Sequence, residues 1–428
     1  MVLKIFALFL LIFVQTSFGK YEQYQGYTVY GVVIRNQDDI NFIQRLQSEL
    51  DLDIWRAGMP GARHADIMVG PKQREMFVKH LHAQGMEYYI REGNVASKIK
   101  NFDEDLIKWT KSRQNVEVYN KYARVAEIDA YMERLAREYP NIAKVVTAGL
   151  SFEGRPVKYL KISTTNFEDP SKPIYFMDAT MHAREWVTTP VALYTMHRLV
   201  ESLRDEDRDL RDNVDWIILP VYNPDGYEYS HTDERMWRAS RSFNPEIHEE
   251  CRGVDLNRNF DIFFMEINAS SNPCSSLYAG PYPFSEIENR HARDILHSHL
   301  DRIQIYLNIH SYGSYILYGF DNATLPANVA QIHTVGAAMG AHIDGSKLPN
   351  MYDYLIGNSR FVLYPASGTS QDYAQDIGVP FSFTLELPDM NEYGFLVPPQ
   401  YIPQINSETW AGIAESARLA SIFYRARR

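Results

Sequence analysis

The chain has 428 residues, of which 45% are hydrophobic and 23% are charged, and its formal net charge is −11. This composition is ordinary for a globular protein with a sizeable core, and the length is too great for one small domain. The negative charge argues against nucleic acids and anionic membranes as partners, because both attract basic surfaces.

The first 19 residues have the pattern of a secretory signal. Lys4 supplies a positive start, the apolar run over residues 5–14 is too short to span a bilayer, and small residues precede a cut after Gly19. A membrane anchor is the alternative, but it would need a longer apolar run. We therefore expect a secreted, extracellular protein without a membrane partner.

The next hundred residues predict a small α+β unit. Strands are predicted over residues 28–34, 52–55, 65–69 and 86–90, and helices over residues 40–50 and from Pro71 onward. Strand, helix, strand, strand, helix, strand is the order of the split βαβ, or ferredoxin-like, arrangement.

Residues 94–114 are polar and basic. Lysine and arginine stand at five positions: Lys98, Lys100, Lys108, Lys111 and Arg113. A basic stretch between two domains is a natural cutting site for a trypsin-like protease. A solvated helix is the other interpretation, and the two are compatible.

A second, larger α/β pattern begins near residue 126. Its predicted strands cover residues 157–162, 174–177, 216–221, 303–309 and 381–385, and its predicted helices include residues 126–138, 189–203 and 286–299. This alternation predicts a central mixed, mostly parallel sheet that is covered by helices on both faces. His182 comes just after one strand and His310 directly follows another, so both are expected at the carboxyl ends of strands, where ligand sites gather.

The residues His182, Glu185 and His310 have the composition of a catalytic zinc site. Two imidazole nitrogens and a carboxylate oxygen hold the metal and leave a fourth position open. The chain has only two cysteines, which excludes a closed thiolate site. A His-x-x-Glu pair is weak evidence by itself in a chain with 13 histidines. His297 and His299 are rival ligands, but their polar helical surroundings indicate solvated side chains.

Cys251 and Cys274 are predicted to form a disulfide, because a secreted protein folds in an oxidising compartment. Such a bond would stabilise the fold by about 3 kcal/mol in the chain-entropy model. Two separate buried thiols are the alternative. Asn268 and Asn322 begin glycosylation acceptor triplets.

Six short motifs occur in order along the chain. They are His182-Ala183-Arg184-Glu185-Trp186, Arg235-Met236-Trp237-Arg238, Gly253-Val254-Asp255-Leu256-Asn257-Arg258-Asn259, His310-Ser311-Tyr312, Tyr364-Pro365-Ala366-Ser367-Gly368 and Phe383-Thr384-Leu385-Glu386-Leu387. With these motifs the chain resembles the zinc metallocarboxypeptidases of the A/B type over nearly its whole length. The resemblance implies a zymogen with an activation segment at 20–113 and a catalytic domain at 114–428. An activating trypsin-like protease would cut near Gln114, after Arg113. Lys108 and Lys111 are alternative cut sites.

The resemblance also implies the catalytic roles. His182, Glu185 and His310 would bind one Zn²⁺, which lowers the pKa of a water molecule toward about 7. Asp255 would fix the tautomer of His182 from behind. Glu386 would act as the general base that takes a proton from water and passes it to the leaving amine.

The remaining implied residues bind the substrate. Arg238 would stabilise the oxyanion, and a second set would clamp the C-terminal carboxylate or line the approaching peptide. The clamp comprises Asn257, Arg258 and Tyr364, and the peptide-lining residues are Arg184, Tyr312 and Phe395. Peptide and protein C-termini are therefore the expected substrates.

The side-chain pocket is expected to contain Gln371 and Ser359. In the family an acid at the first of these positions favours Lys or Arg, whereas an aliphatic residue favours apolar ends. Because Gln371 carries no charge to pair with a buried cation, the sequence predicts a preference for neutral C-terminal residues.

A binding protein on a peptidase scaffold is the alternative function. Such proteins usually lose a metal ligand or the base, and here both kinds of residue are present, which favours the enzyme. We expect a monomer.

Overall fold

The computed structural model describes residues 20–113 and 115–427. The predicted signal at residues 1–19 and the predicted start of the mature enzyme at Gln114 lie outside the described residues. Within the described ranges, no helix is both long enough and apolar enough to cross a membrane.

The N-terminal unit has the predicted order of elements, and it is called the activation domain after the role that the resemblance implies. These are β1 (Thr28–Val32), α1 (Gln37–Leu50), β2 (Asp53–Arg56), β3 (Ala65–Val69), α2 (Arg74–Ala83) and β4 (Tyr88–Glu92). The strands form an antiparallel sheet in the order β2-β3-β1-β4, which confirms the split βαβ arrangement. The start predicted for the second helix is wrong, because Pro71 lies in a turn that Gln73 N–H closes onto Gly70 O and the helix begins at Arg74.

The basic segment is a helix, α3 (Val95–Ser112). Asn94 caps its N-terminus by accepting a hydrogen bond from Ser97 N–H at 3.0 Å. Ile99 and Phe102 are buried in the same core as the large domain, and the Phe102 ring lies 6.1 Å from that of Trp186. The helix is therefore solvated on one side only, which carries Lys100, Lys108 and Lys111 together with acidic residues.

The larger unit, called the catalytic domain after the role that the resemblance implies, contains the other helices and strands. In chain order they are α4 (Val125–Glu138), β5 (Ala143–Leu150), β6 (Pro156–Ile162), β7 (Ile174–Ala179), α5 (Thr188–Val200), α6 (Arg208–Asp212), β8 (Asp215–Leu219), α7 (Pro224–Thr232), α8 (Ile287–Ser298), β9 (Ile303–His310), β10 (Tyr315–Tyr318), α9 (Val329–Asp344), β11 (Leu355–Asn358), α10 (Ser359–Val362), α11 (Ser370–Asp376), β12 (Phe381–Glu386) and α12 (Ile402–Ala426).

Eight of these strands form one mixed sheet in the order β11-β10-β12-β9-β7-β8-β6-β5. Strands β12, β9, β7 and β8 are mutually parallel and form its centre. Alternate residues enter two different cores: Tyr175 and Met177 of β7 pack on one face, Ile174 and Phe176 on the other. This alternation confirms a sheet that is covered on both faces.

Cys251 and Cys274 form the predicted disulfide, with Cα atoms 5.1 Å apart. His248 lies beside both sulfur atoms, but cysteines that are bonded to each other do not offer thiolates to a metal.

Candidate active site

Two neighbouring parallel strands bring the predicted metal ligands together. Strands β7 and β9 are paired so that Ala179 lies beside Ile309. His182 follows the end of β7, and His310 is the last residue of β9, so both reach the same edge of the sheet. The candidate ligand atoms of His182, Glu185 and His310 all lie within 4.8 Å of one another and are buried. His297 and His299 are not in this group, because they lie near the opposite end of β9.

The imidazole rings are oriented for a metal. Nδ1 of His182 lies 2.8 Å from Glu185 Oε1, and Nδ1 of His310 lies 3.0 Å from Glu185 Oε2. Each Nε2 faces an acceptor: Asp255 Oδ1 at 3.0 Å from His182, and Asn308 Oδ1 from His310. A proton on each Nε2 leaves the Nδ1 lone pairs free, and two such nitrogens with one carboxylate fit zinc.

The electrostatics also suit a cation. Burial, and next the charge of Arg238, lower the pKa of His182, so that its imidazole is neutral. Burial opposes ionisation of Glu185, but the two histidines outweigh it and hold the pKa of this carboxyl below its usual range. His182 and Glu185 are thus in the forms that bind a metal. Burial of His310 is outweighed by Glu185, which raises the pKa of His310, so this ring must lose its proton when a metal binds.

Asp255 connects His182 to Arg238. Besides its contact with His182, this carboxylate accepts hydrogen bonds from Arg238 Nε at 3.1 Å and Nη2 at 2.9 Å. Despite its burial, these two partners hold the pKa of Asp255 well below its usual range. Arg238 Nη1 is left facing the metal ligands, 3.2 Å from His182 Nδ1.

Glu386 is the last residue of β12, and the parallel pairing with β9 places it beside His310. Its Oε2 atom is buried and has no hydrogen-bond partner among the described residues. Burial, with a smaller contribution from the charge of Glu185, raises the pKa of Glu386 to about 7 in the metal-free chain. A carboxyl with a pKa near neutrality suits proton transfer.

The predicted clamp lies on the same cavity. Arg258 donates from Nε to Asn268 O at 2.9 Å and from Nη1 to Asn257 O at 2.8 Å. Its Nη2 is buried and has no partner in the described part of the chain. Asn257 is held by Ser370 N–H, which donates to its Oδ1 at 2.9 Å. Tyr364 is half-buried and packs against the core of the activation domain.

The activation domain covers this cavity, and residues 54–57 form part of its wall. Asp53 pairs with Arg184 through two hydrogen bonds of 2.6 and 2.8 Å. Asp66 accepts from the Tyr312 hydroxyl at 3.2 Å. The Trp55 ring lies 5.6 Å from that of Phe395. The three predicted peptide-lining residues are thus all contacted by β2 or β3.

The side-chain pocket contains both predicted residues and one that was missed. Gln371 Nε2 donates to Ser359 Oγ at 3.1 Å, and Ser359 Oγ donates in turn to Asp321 Oδ1. Asp321 is 2% exposed and lines the same cavity. The sequence signal for Asp321 was weak. It is an acid a few residues after the apolar run of β10, and the sequence did not predict β10 as a strand.

Two buried polar residues behind the metal ligands were also missed. Asn308 Nδ2 donates to Asp178 Oδ1, and the Tyr306 hydroxyl donates to Asp178 Oδ2 at 2.6 Å. The signal here was visible, because Asp178 and Asn308 interrupt otherwise apolar strands.

Comparisons with known proteins identify the family of the chain. Residues 128–412 match the family described as zinc carboxypeptidase, and residues 30–101 match the carboxypeptidase activation peptide. The chain is 42% identical to carboxypeptidase B of Helicoverpa zea (95% of this chain and 97% of the relative). It is 33% identical to carboxypeptidase A2 of Mus musculus (92% and 93%).

A solved structure, carboxypeptidase A from Helicoverpa armigera, superposes with a TM-score of 0.89 at 41% identity, covering 93% of this chain and 98% of that one. Relatives with both A and B names match, so the names alone leave the preferred C-terminal residue open. The chain belongs to the zinc carboxypeptidase family, and with its activation peptide in front of the peptidase domain it is the zymogen of a zinc-dependent carboxypeptidase.

Proposed function

We propose that the activated enzyme removes single residues from peptide C-termini with the residues predicted from the sequence. The observation that carries this proposal is the buried Nη2 of Arg258, a cationic donor without a partner among the described residues, on the cavity that holds the metal ligands. A guanidinium binds a planar carboxylate with matched geometry. An endopeptidase, which must accommodate chain on both sides of the cut, has no use for such a group.

His182, Glu185 and His310 would hold a zinc ion, which would supply a Lewis acid and a water molecule of lowered pKa. Glu386 takes a proton from the attacking water and delivers it to the leaving amine. Arg238 Nη1 faces the ligand cluster and stabilises the negative oxygen that develops on the scissile carbonyl. Asp255 holds both Arg238 and His182 in place.

Arg184, Tyr312 and Phe395 would contact the peptide once the activation domain leaves, because their present partners are Asp53, Asp66 and Trp55. We place the domain boundary after Arg113. Lys108 and Lys111 lie within α3, whereas Arg113 follows the helix, is exposed and has extended backbone angles (φ −128°, ψ 120°). A protease binds its substrate in an extended form, so Arg113 is the favoured site for a trypsin-like activator.

The direct test compares two peptides that differ only in a free or an amidated C-terminus, on trypsin-treated protein with and without a chelator. We expect hydrolysis of the free peptide alone, and loss of that activity with the chelator. Equal cleavage of the amidated peptide would refute the clamp. N-terminal sequencing of the product locates the activation cut.

Secretion and a monomeric state are further parts of this proposal. Secretion rests on the signal pattern of residues 1–19 and is supported by the disulfide between Cys251 and Cys274. Recovery of the protein from the medium of expressing cells, and its mass by light scattering, check them.

The most specific part of the proposal concerns which C-terminal side chain the enzyme prefers. The preference for neutral residues predicted from the sequence rests on Gln371, which carries no charge. That reasoning considered one pocket residue, and the same pocket contains the buried carboxylate of Asp321.

A further inference from the structure

The two acceptor triplets for N-glycosylation have no part in the proposed catalysis, and they differ in the folded chain. Asn322 and Thr324 are exposed on the loop that follows β10, whereas Asn268 and Ser270 are half-buried. An N-linked glycan is bulky and hydrated, so it needs a position at the surface. The triplet at Asn322 offers such a position.

The side chain of Asn322 is held through its oxygen and not through its nitrogen. Oδ1 accepts hydrogen bonds from the Thr324 backbone N–H at 2.9 Å and from the Thr324 hydroxyl at 2.7 Å. Nδ2 has no hydrogen-bond partner in the described part of the chain. N-glycosylation adds a sugar to the amide nitrogen and leaves the amide oxygen as an acceptor. Both hydrogen bonds of the loop therefore persist when Asn322 is modified.

Asn268, in contrast, lies where the two domains meet. It lines a narrow cavity of about 30 Å³ together with Gln44 and Gln47 of α1 and Asp53 of β2. A cavity of this size holds at most a few water molecules. The backbone oxygen of Asn268 also accepts from Arg258 Nε at 2.9 Å. A glycan on Asn268 would therefore crowd the junction at which the activation domain docks beside Arg258.

Asn322 borders the active-site cavity without lining it. The preceding residue, Asp321, is buried and lines that cavity, whereas Asn322 is exposed and is not one of the lining residues. A sugar on Asn322 would extend into solvent, outside the cavity that binds the peptide. We therefore expect a glycan there to leave catalysis unchanged.

We propose that Asn322 carries an N-linked glycan in the secreted protein and that Asn268 is unmodified. Nδ2 of Asn322 loses one proton and forms a bond with C1 of the first sugar. The bond between C1 and a lipid-linked diphosphate donor breaks, and the lipid diphosphate leaves. This transfer takes place in the secretory pathway, so the inference rests on the proposed secretion.

The test uses the full chain, expressed in a eukaryotic cell line and recovered from the medium. An amidase that removes N-linked glycans converts each modified Asn to Asp, and peptide mass spectrometry then identifies the position. We expect conversion of Asn322 and not of Asn268. After activation with trypsin, the protein should have the same kcat/KM with and without its glycan. A large difference would place the glycan inside the cavity and overturn the position argued for it.

Variants of both triplets supply the controls. Asn322→Gln should abolish the loss of mass on treatment with the amidase, whereas Asn268→Gln should retain it. Thr324→Ser keeps the hydroxyl group and should still be modified, and Thr324→Ala should not.

The wild-type peptides alone decide the inference, even if a variant does not fold. Secreted protein that is unmodified at Asn322, or modified at Asn268, would overturn it while leaving the proposed secretion intact. Absence of the protein from the medium would refute secretion and this inference together.

Discussion

Asp53 of the activation domain and Arg184 of the catalytic domain form a two-point ion pair, with N–O distances of 2.6 and 2.8 Å. The side chain of Arg184 is 3% exposed and that of Asp53 is 19% exposed. If Arg184 contacts the peptide as proposed, the carboxylate of Asp53 stands where that peptide would lie. The activation domain therefore covers the active site through specific side-chain contacts of β2, and not only by filling the space above it.

Replacing Asp53 with Asn should weaken this cover. Because Trp55 still contacts Phe395, we expect only a partial release: about 10-fold more activity of the uncleaved protein on a small peptide. The measurement is the initial rate before and after trypsin. Asp38→Asn, at an exposed carboxylate in the first turn of α1, is the control and should leave the uncleaved protein as inactive as the wild type. An equally silent Asp53→Asn zymogen would show that the pair is dispensable.

Replacing Glu386 with Gln should remove the general base. We expect kcat to fall by about 10²–10⁴, with KM changed little, since the clamp and the metal ligands remain. Steady-state kinetics and zinc content of the purified protein check this. The exposed Glu392 offers a control, and Glu392→Gln should have wild-type kinetics. A normal kcat in Glu386→Gln would require a different base.

Protonation of Glu386 should lower kcat/KM at acidic pH. Burial raises the pKa of Glu386 to about 7 without metal, and a neighbouring Zn²⁺ lowers it from that value. Only the ionised form accepts a proton, so kcat/KM should rise with pH and level off at or below pH 7 in the zinc enzyme. A profile of kcat/KM from pH 4 to 9 is the measurement. Activity that increases steadily as the pH falls would contradict this assignment.

The pair Asp178 and Asn308 should tune zinc affinity. Asp178 accepts from the Asn308 amide, which turns Asn308 Oδ1 toward His310 Nε2 and fixes the histidine tautomer. We expect Asn308→Ala to weaken zinc binding by about 10–100-fold and Asp178→Asn to have a smaller effect of the same sign. Competition with a chelator measures the affinity. Tyr306→Phe leaves the Asn308 contact in place and is the control. An unaltered zinc affinity in Asn308→Ala would show that the contacts from Asp178 through Asn308 to His310 do not influence metal binding.

Removal of the disulfide should cost stability without affecting the chemistry. The bond joins residues 23 positions apart, and its loss should lower the free energy of unfolding by about 3 kcal/mol. Denaturant unfolding of the Cys251→Ser, Cys274→Ser double variant is the measurement, and its kcat should stay normal at low temperature. A stability equal to that of the wild type would mean that the loop is already ordered by other contacts.

Local patterns accounted for much of the fold. Strand β3 has the predicted bounds, and β7 and β9 differ from prediction by at most two residues, because buried central strands read as short apolar runs. Strands β5, β10 and β11 were missed. Strands β10 and β11 are only four residues long, and β5 and β11 lie at the two edges of the sheet, where tertiary pairing and not an apolar run determines the strand.

The amino-acid sequence by itself determined the ligand types, the motif order and the two-domain architecture, because side-chain chemistry and apolar periodicity are local properties. Only the tertiary structure decided that Asp321 shares a cavity with Gln371 and that Asp53 forms an ion pair with Arg184. Those partners lie 50 and 131 positions apart, and nothing in the spacing of residues reveals contacts that close such long loops.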